Sequence, residues 1–321
     1  MKVAVTDYTF DALDVETEIL GPLGCQVVGQ KICKAPEELI PLVADADCVI
    51  TQFAPVNAAV IGAMQKSRVI VRYGIGVDNV DLAAAAAKGI PVCNVPDYCI
   101  DEVADYALAM ILDLARKITA NGNRVKSGSW SSAVPLTGYF SVKDMTVGMV
   151  GFGRIGREVA ARLKAFKGKV LVYDPAVDPA AIQAAGLTPA TLDEVLRTSD
   201  LVTLHCPSTE KTKYMINARS IATMKPGVML VNTSRGTLVN TDDLVAALLT
   251  GQISAAALDV LDPEPVPAGH PLLKMDNVIL TPHVASASPR AVQSLRRTAA
   301  TIAGLAAQGK KLPNVVNGVK G

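Results

Sequence analysis

Short apolar runs alternate with helical patterns through the first hundred residues of the chain. A short apolar run bounded by turn residues predicts a buried strand, and apolar residues at helical spacing predict an amphipathic helix. The predicted strands of this part lie at 3–5, 25–28, 48–51, 69–71 and 91–93. Helices are predicted between them, for example at 36–43 and 82–88. This alternation favours a parallel sheet with helices on both faces.

The alternation starts again near residue 145. The second series of predicted strands lies near 146–150, 169–173, 201–204, 228–232, 255–258 and 278–281. Thr191 and Glu194 have the spacing of a capping box, which predicts the start of a helix. A chain of 321 residues also exceeds the usual length of one domain. The predicted fold class is therefore α/β, with two doubly wound parallel-sheet domains.

Two longer helical patterns complete the prediction. The first covers about 100–117, and its apolar residues extend beyond one face. Such a helix needs burial on two sides, so we expect it in the interdomain core, in a subunit interface, or in both. A homodimer is the oligomeric state that this pattern favours. The second pattern covers 290–308 and could pack against the first domain.

Composition and charge argue against several classes of protein. The formal net charge is +1, so there is no basic excess for binding a nucleic acid. No apolar run reaches the ~20 residues needed to span a membrane, and the N-terminus lacks the layout of a signal peptide. Six cysteines, at 25, 33, 48, 93, 99 and 206, lack metal-ligand spacing. We expect reduced thiols, no metal site and a cytoplasmic protein.

A glycine motif follows the first predicted strand of the second series. Gly151, Gly153 and Gly156 form the pattern GxGxxG at the start of a predicted helix. The first glycine permits a tight turn, and the second lets the backbone approach a pyrophosphate. The third allows the helix to pack closely on the strand. The motif therefore predicts a dinucleotide site of the Rossmann type.

The residues around the motif define which dinucleotide is expected. Arg154 and Ile155 lie in the first turn of the predicted helix, where free amides face the phosphates. Asp174 stands at the end of the next predicted strand, where a carboxylate accepts hydrogen bonds from the ribose hydroxyls. Because this carboxylate would repel a 2′-phosphate, the sequence predicts NAD rather than NADP.

Other candidate residues follow four strands of the second series. Ligands of open α/β sheets bind beyond the carboxyl ends of the strands. The residues at these ends are His205, Cys206 and Pro207; Thr233, Ser234 and Arg235; Asp259 and Glu264; and His283. An arginine, a glutamate and a histidine are expected at the same sheet edge.

Arg235, Glu264 and His283 suit hydride transfer to a 2-oxo acid. An arginine can hold a carboxylate and polarise a carbonyl with two donors. A histidine can supply the proton that the new alkoxide needs, and a nearby carboxylate orients its ring. Spacing alone leaves His283 open between a catalytic and a structural role. Arg235 could equally be a surface residue of a turn.

The remaining candidates carry two interpretations each. His205 has no evident acidic partner, which favours a wall of the cofactor pocket over a catalyst. His270 precedes a proline in a predicted loop, which favours a structural role. The loop 74–76 could expose amides to an anion, or could be a plain turn. Arg72, just before this loop, could reach an anionic substrate or form a salt bridge within its own domain.

Six motifs, spread over nearly the whole chain, carry a family resemblance. They are the segments 73–81, 95–105, 151–156, 231–236, 257–260 with 264–265, and 281–283. Together they resemble the D-isomer-specific 2-hydroxyacid dehydrogenase family, in the branch of phosphoglycerate dehydrogenases and C-terminal-binding proteins. The expected architecture is a flavodoxin-like substrate domain, residues 1–99 and 286–321, with an inserted Rossmann NAD-binding domain, residues 100–285.

The resemblance also implies roles for single residues. It implies His283 as the acid/base, Glu264 as its partner, and Arg235 as the group that binds and polarises the substrate. It assigns the substrate carboxylate to Ile75 and Gly76. It places four residues along the cofactor: Cys206, Thr212 on the phosphates, Thr233, and Asp259 near the nicotinamide carboxamide. We assign their neighbours His205, Pro207 and Ser234 to the same cofactor site. The implied activity interconverts a 2-oxo acid and a D-2-hydroxy acid with NAD.

Two alternatives stay open. The C-terminal-binding-protein corepressors are similar near residues 95–105 and also contain the three candidate residues, so an NAD(H)-sensing interaction protein is one alternative. The other is a different dehydrogenase on the same scaffold, such as a formate or phosphite dehydrogenase. Formate enzymes have glutamine where Glu264 stands, which argues against that choice. The sequence does not select among glyoxylate, hydroxypyruvate, phosphohydroxypyruvate, pyruvate and bulkier 2-oxo acids.

Overall fold

Two parallel sheets organise the protein. A computed structural model describes residues 1–32 and 35–321. These residues form two units, which we call unit 1 (Met1–Tyr98 with Ser288–Gly321) and unit 2 (Cys99–Ala287). Unit 2 is therefore an insertion in the sequence of unit 1. Cys33 lies outside the described residues, and the five described cysteines are thiols rather than disulfides.

Unit 1 contains a five-stranded parallel sheet. Its strands are β1 (Lys2–Val5), β2 (Gln26–Gly29), β3 (Cys48–Thr51), β4 (Ile70–Arg72) and β5 (Val92–Cys93). They lie in the order β2-β1-β3-β4-β5, which is the flavodoxin-like order. The helices are α1 (Asp14–Leu20), α2 (Pro36–Val43), α3 (Ala58–Ala63), α4 (Leu82–Ala87) and the C-terminal α12 (Pro289–Ala307). The predicted return of the last helix to the first domain is confirmed.

A buried ion pair joins α12 to α1 in unit 1. Glu16 is completely buried, and its carboxylate accepts hydrogen bonds from Arg296 Nε at 3.0 Å and from Arg296 Nη2 at 2.6 Å. The hydroxyl of Tyr73 donates to the same carboxylate at 2.8 Å. The guanidinium of Arg296 also lies 4.7 Å from the ring centroid of Phe10. The two charges compensate each other away from water, so removal of one leaves the other unpaired.

Unit 2 contains a seven-stranded parallel sheet. Its strands are β6 (Thr146–Val150), β7 (Lys169–Tyr173), β8 (Thr188–Pro189), β9 (Leu201–Leu204), β10 (Val228–Asn232), β11 (Ile253–Leu258) and β12 (Val278–Leu280). They lie in the order β12-β11-β10-β9-β6-β7-β8. The strand order reverses between β6 and β9. Dinucleotides bind at such a switch point, outside the carboxyl ends of the strands.

Seven helices in the described part of the chain belong to unit 2. They are α5 (Ile100–Arg116), α6 (Ile118–Lys126), α7 (Arg154–Ala165), α8 (Pro179–Ala184), α9 (Leu192–Thr198), α10 (Ala218–Ile221) and α11 (Thr241–Thr250). Ala104, Ala107 and Ile111 of α5 are fully buried in the core of unit 2. None of the described helices has the length and apolar character that crossing a membrane requires.

The predicted elements agree with the structure to within about two residues. Cys25, Val69, Pro91 and Thr281 were expected in strands and lie just outside them. Pro91 has no N–H to donate to a neighbouring strand, which explains its exclusion. The two-residue strand β8 was not predicted, because so short a segment has no periodicity. The capping box is confirmed, since Thr191 Oγ1 accepts from Glu194 N at 3.2 Å and Glu194 Oε2 accepts from Thr191 N at 2.7 Å.

The buried pair between Arg296 and Glu16 makes a testable prediction. Arg296→Ala leaves the Glu16 carboxylate buried without its cation, so we expect a loss of about 3–5 kcal/mol in the free energy of unfolding. The next residue provides a matched control, because Arg297 reaches Glu18 at 3.4 Å on the exposed side of the same helix. Urea denaturation measures both variants. Equal losses in the two variants would contradict the buried pair.

Candidate active site

The glycine motif forms the turn between β6 and α7. Gly151 has φ +100°, and a Cβ there would lie 2.6 Å from the backbone nitrogen of Cys206. A Cβ on Gly156 would lie 2.3 Å from the carbonyl oxygen of Gly151. Only glycine fits these two positions, because the backbone segments are already in contact. A Cβ on Gly153, in contrast, would meet no atom within 4 Å, so its backbone faces open space.

The open space beside Gly153 fits a dinucleotide. α7 begins at Arg154, and no side chain caps its first turn. The amides at the start of α7, those of Arg154 and Ile155 among them, can therefore serve an anion. Thr233, after β10, is a buried residue whose hydroxyl oxygen has no hydrogen-bond partner among the described residues. A bound cofactor would supply that missing partner.

Asp174 lies at the end of β7 and connects it to the glycine motif. Its Oδ2 accepts a hydrogen bond from Phe152 N at 2.7 Å, and its Oδ1 accepts one from Ala176 N at 2.9 Å. These two amides fix the carboxylate beside the turn. A carboxylate in this place suits the ribose hydroxyls of NAD.

His205 and Cys206 follow β9 and lie against the glycine turn. The imidazole Nε2 of His205 is 2.9 Å from the hydroxyl of Thr203, and burial lowers the pKa of this ring to about 4. Burial raises the pKa of the Cys206 thiol to about 11. Both groups are therefore neutral near pH 7. This arrangement fits a wall of the cofactor site rather than a source of protons.

The loop after β9 is folded by its own side chains. Thr212 Oγ1 donates to the carbonyl oxygen of Pro207 at 2.8 Å and accepts from Thr209 N at 2.8 Å. Ser234 Oγ, on the next loop of the sheet edge, donates to the carbonyl oxygen of Cys206 at 2.6 Å. Part of the cofactor site assigned from sequence thus lies on two neighbouring loops that are joined by a hydrogen bond, namely His205, Cys206, Pro207 and Thr212 on one loop and Thr233 and Ser234 on the other.

Asn232 shapes the turn that carries Arg235. This asparagine is completely buried at the end of β10. Its Oδ1 accepts from Ser234 N at 3.0 Å, and its Nδ2 donates to the carbonyl oxygen of Arg235 at 2.8 Å. The guanidinium Nη1 of Arg235 donates to Ser234 O at 2.7 Å. Sequence reasoning passed over Asn232, although an asparagine at the end of a buried strand is a recognisable turn signal.

Asp259 fixes the turn that carries His283. The carboxylate is 1% exposed and accepts hydrogen bonds from three neighbours. These donors are Thr281 Oγ1 at 2.6 Å, Val284 N at 3.0 Å and Ala285 N at 2.8 Å. The backbone of His283 has φ +53° and donates its N–H to Asp259 O at 2.9 Å. The side chain of Asp259 therefore orders the histidine turn, a contact that sequence reasoning did not anticipate.

His283 and Glu264 form a close pair. The distance from His283 Nδ1 to Glu264 Oε1 is 2.7 Å, and the two side chains are 29% and 39% exposed. Because the carboxylate accepts at Nδ1, the ring is oriented with Nε2 as its second donor position. Glu264 stands between Pro263 and Pro265 in the loop after β11. The pair can therefore hold and release a proton at a fixed place on the sheet edge.

The three candidate side chains follow three adjacent strands. Arg235 follows β10, Glu264 follows β11 and His283 follows β12, and these strands are neighbours in the sheet. Gly236 brings the first two loops into contact, since a Cβ there would lie 1.8 Å from the carbonyl oxygen of Leu261. The expectation that parallel strands bring these residues to one edge of the sheet agrees with the structure.

Other candidates have local roles. His270 Nδ1 accepts from Leu272 N at 3.3 Å and caps a short helix at 271–274, which confirms its structural interpretation. The Arg72 side chain in unit 1 lies against Gly74, because a Cβ on that glycine would fall 1.4 Å from Arg72 Nη1. Within residues 1–32 and 35–321, no group of three or more His, Cys, Asp or Glu residues could hold a metal ion.

Comparison with known proteins identifies the family. A model described as D-isomer specific 2-hydroxyacid dehydrogenase, NAD binding domain, matches residues 108–285. A glyoxylate reductase of Korarchaeum cryptofilum is 37% identical over 283 residues, which cover 87% of this chain and 85% of that enzyme. The chain belongs to the D-isomer-specific 2-hydroxyacid dehydrogenase family. The protein is therefore an NAD-dependent oxidoreductase, as its glycine motif and Asp174 predicted.

Two further relatives of the dehydrogenase family show its range. A D-3-phosphoglycerate dehydrogenase of Archaeoglobus fulgidus is 37% identical over 282 residues, which cover 88% of this chain and 53% of that enzyme. The crystal structure of D-lactate dehydrogenase from Aquifex aeolicus, complexed with NAD and lactic acid, has a TM-score of 0.85 at 30% identity and covers 96% of each chain. The predicted fold class, family and cofactor are thus confirmed.

Asp174 makes a prediction about cofactor choice in this dehydrogenase. Asp174→Ala removes the carboxylate that would repel a 2′-phosphate, so we expect the preference for NADH over NADPH to fall by about tenfold or more. The measurement compares kcat/KM for the two cofactors. Asp178→Ala is the control, because Asp178 only caps α8 by accepting from Ala180 N. An unchanged preference in Asp174→Ala would show that this residue does not select the cofactor.

Proposed function

We propose that the enzyme reduces a small 2-oxo acid to the D-2-hydroxy acid, with His283 as the acid. The observation that supports this most is the 2.7 Å pair of His283 and Glu264, which follows the strands next to that of Arg235, at the sheet edge that also carries the glycine motif. A proton donor, its carboxylate partner and a fixed cation therefore meet beside the cofactor site. These are the groups that reduction of a carbonyl next to a carboxylate requires.

Each side chain has a distinct task in the proposed reaction. The guanidinium of Arg235 binds the substrate and polarises its carbonyl. NADH, when bound, supplies the hydride to the carbonyl carbon. His283 gives the Nε2 proton to the carbonyl oxygen, and Glu264 stabilises the charged ring through Nδ1 until that transfer. In the oxidation direction, His283 takes the proton back.

The loop 74–76 of unit 1 supports a proposal for the substrate carboxylate. The carbonyl oxygen of Gly74 accepts from Val95 N at 2.9 Å, and that of Ile75 accepts from Asn94 Nδ2 at 2.6 Å. The amides of Ile75 and Gly76 have no hydrogen-bond acceptor in the ranges 1–32 and 35–321. Successive amides of this kind can bind an anion. We therefore assign residues 1–99 and 286–321 to the substrate domain, and 100–285 to the NAD-binding domain.

The relatives suggest where to begin with substrates. Their names refer to glyoxylate, which is a 2-oxo acid, and to phosphoglycerate and lactate, which are 2-hydroxy acids. All three have carbon chains of two or three atoms. We propose glyoxylate as the first substrate to test, because it has two carbons and needs the least space of any 2-oxo acid. Glu264 argues against formate dehydrogenase activity, because formate dehydrogenases on this scaffold have a glutamine at this position. Robust turnover would separate an enzyme from an NAD(H)-sensing corepressor-like protein.

We also propose a homodimer that works in the cytoplasm. Apolar side chains from the start of α6 onward are exposed, with Ile118 at 63%, Trp130 at 91% and Leu136 at 83%. A second copy of the chain would remove such surface from water. The five described thiols, all of which are buried, suit a reducing compartment.

A panel of 2-oxo acids tests the proposed activity. We expect the purified protein to consume NADH with glyoxylate, and with at least one of hydroxypyruvate, pyruvate and phosphohydroxypyruvate. Since glycolate has no stereocentre, the handedness of the product is assayed with the three larger substrates. We expect the D isomer. The absence of turnover with every acid, or an L product, would reject the proposal.

His283→Ala tests the proposed acid. Loss of general acid catalysis should lower kcat by roughly 10²–10⁴-fold, while the Kd for NADH stays within about twofold. His270→Ala is the matched control, because His270 caps a short helix. We expect its kcat to remain close to that of the unmodified enzyme. Wild-type turnover in His283→Ala would remove this residue from the mechanism.

A further inference from the structure

The loop that carries Glu264 makes few hydrogen bonds to the rest of unit 2. No backbone N–H or C=O of residues 260–266, all of which are described, pairs with another backbone group. Besides the pair of Glu264 with His283, two hydrogen bonds reach this segment, and both end on Asp262. Tyr214 donates its hydroxyl to Asp262 Oδ2 at 2.6 Å, and Thr241 Oγ1 donates to Asp262 O at 2.6 Å. Asp262 is therefore the hydrogen-bonded anchor of the loop, next to the apolar packing of Val260 and Leu261.

Tyr214 is itself held in an uncommon conformation. Its φ is +49°, in the left-handed region that a tyrosine rarely adopts. Two hydrogen bonds fix this backbone: Tyr214 N donates to Thr237 O at 2.7 Å, and Asn217 Nδ2 donates to Tyr214 O at 2.7 Å. Backbone outliers of this kind persist where the surroundings determine them, and they cluster at functional sites. The conformation directs the phenol towards Asp262.

Tyr214 thereby joins the two loops of the candidate active site. Its backbone is bonded to Thr237, two residues after Arg235, and its side chain is bonded to Asp262, two residues before Glu264. The contact of Gly236 with Leu261 runs parallel to this link. Tyr214 is therefore one of the direct links between the loop of the arginine and the loop of the glutamate.

We propose that Tyr214 and Asp262 are positioning residues for the acid/base pair. Their hydrogen bond holds the 260–266 loop against the loop of Arg235 so that Glu264 meets Nδ1 of His283. This inference rests on the proposed function of that pair. Neither residue needs to touch substrate or cofactor, because each acts through Glu264. Loss of the bond should therefore affect the proton-transfer step rather than the binding of NADH.

Tyr214→Phe removes only the hydroxyl and tests the proposal. We expect kcat for a 2-oxo acid to fall about tenfold, with the KM for NADH within about twofold of the unmodified enzyme. Ser254→Ala is the matched control, because it removes another 2.6 Å hydroxyl bond, to Gly227 O, at the opposite end of β11. A kcat in Tyr214→Phe equal to that of Ser254→Ala would overturn the proposal.

Two further comparisons separate positioning from general support of the fold. In a Glu264→Ala background, Tyr214→Phe should change kcat less than twofold, because the residue through which it acts is gone. An equal factor in both backgrounds would overturn the proposal. Asp262→Asn keeps an acceptor for the phenol and should preserve most of kcat, whereas Asp262→Ala should match Tyr214→Phe. An equal decrease of kcat in Asp262→Asn and in Asp262→Ala would contradict the role of this hydrogen bond as the anchor of the loop.

A readout without substrate distinguishes this inference from the proposed function. Crystal structures of the two variants without ligands report the position of the 260–266 loop directly. We expect the distance from His283 Nδ1 to Glu264 Oε1 to stay near 2.7 Å in Ser254→Ala and to lengthen by about 1 Å in Tyr214→Phe. If the unmodified enzyme reduces no 2-oxo acid but this displacement appears, the proposed function fails and the loop anchor stands. An unchanged distance in Tyr214→Phe would reject the anchor, whatever the enzyme reduces.

Discussion

The buried carboxylate of Asp259 is the constraint on which the candidate site depends. A charge that is withdrawn from water must find hydrogen-bond donors, and this one finds Thr281, Val284 and Ala285 in the turn after β12. Because these three donors flank His283, its backbone has little conformational freedom. His283 adopts its left-handed backbone there, and its ring then lies within 2.7 Å of Glu264. The position of His283, the proposed acid, thus follows from the hydrogen bonds that the buried Asp259 carboxylate requires.

The parallel sheet converts these local turns into one site. Adjacent parallel strands end at the same edge, so the residues that follow β10, β11 and β12 come together although they are far apart in sequence. Glycines allow the remaining close approaches, at Gly151 against the loop of Cys206 and at Gly236 against Leu261. The cofactor turn and the proposed acid/base pair consequently lie at one edge of the same sheet, with Tyr214 as a link between two of the loops there.

Much of this arrangement could be predicted from the sequence, because the strands and the cofactor turn depend on residues that are close together in the sequence. Apolar runs marked the strands, and glycine spacing with Asp174 marked the cofactor. Hydrogen bonds between residues that are far apart in the sequence leave no such local pattern. Nothing in the sequence pairs Arg296 with Glu16, and nothing couples Tyr214 to Asp262. The clamp around Asp259 was missed for the same reason, since two of its donors are backbone amides that belong to no residue type.

A crystal structure of the complex with NADH and oxamate, an unreactive analogue of a 2-oxo acid, tests the central claim most directly. We predict that His283 Nε2 lies within about 3 Å of the oxamate carbonyl oxygen and that Arg235 donates to the same ligand. Glu264 should remain bonded to Nδ1. Oxamate seated elsewhere, or an ordered ligand whose carbonyl oxygen contacts neither His283 nor Arg235, would contradict the account.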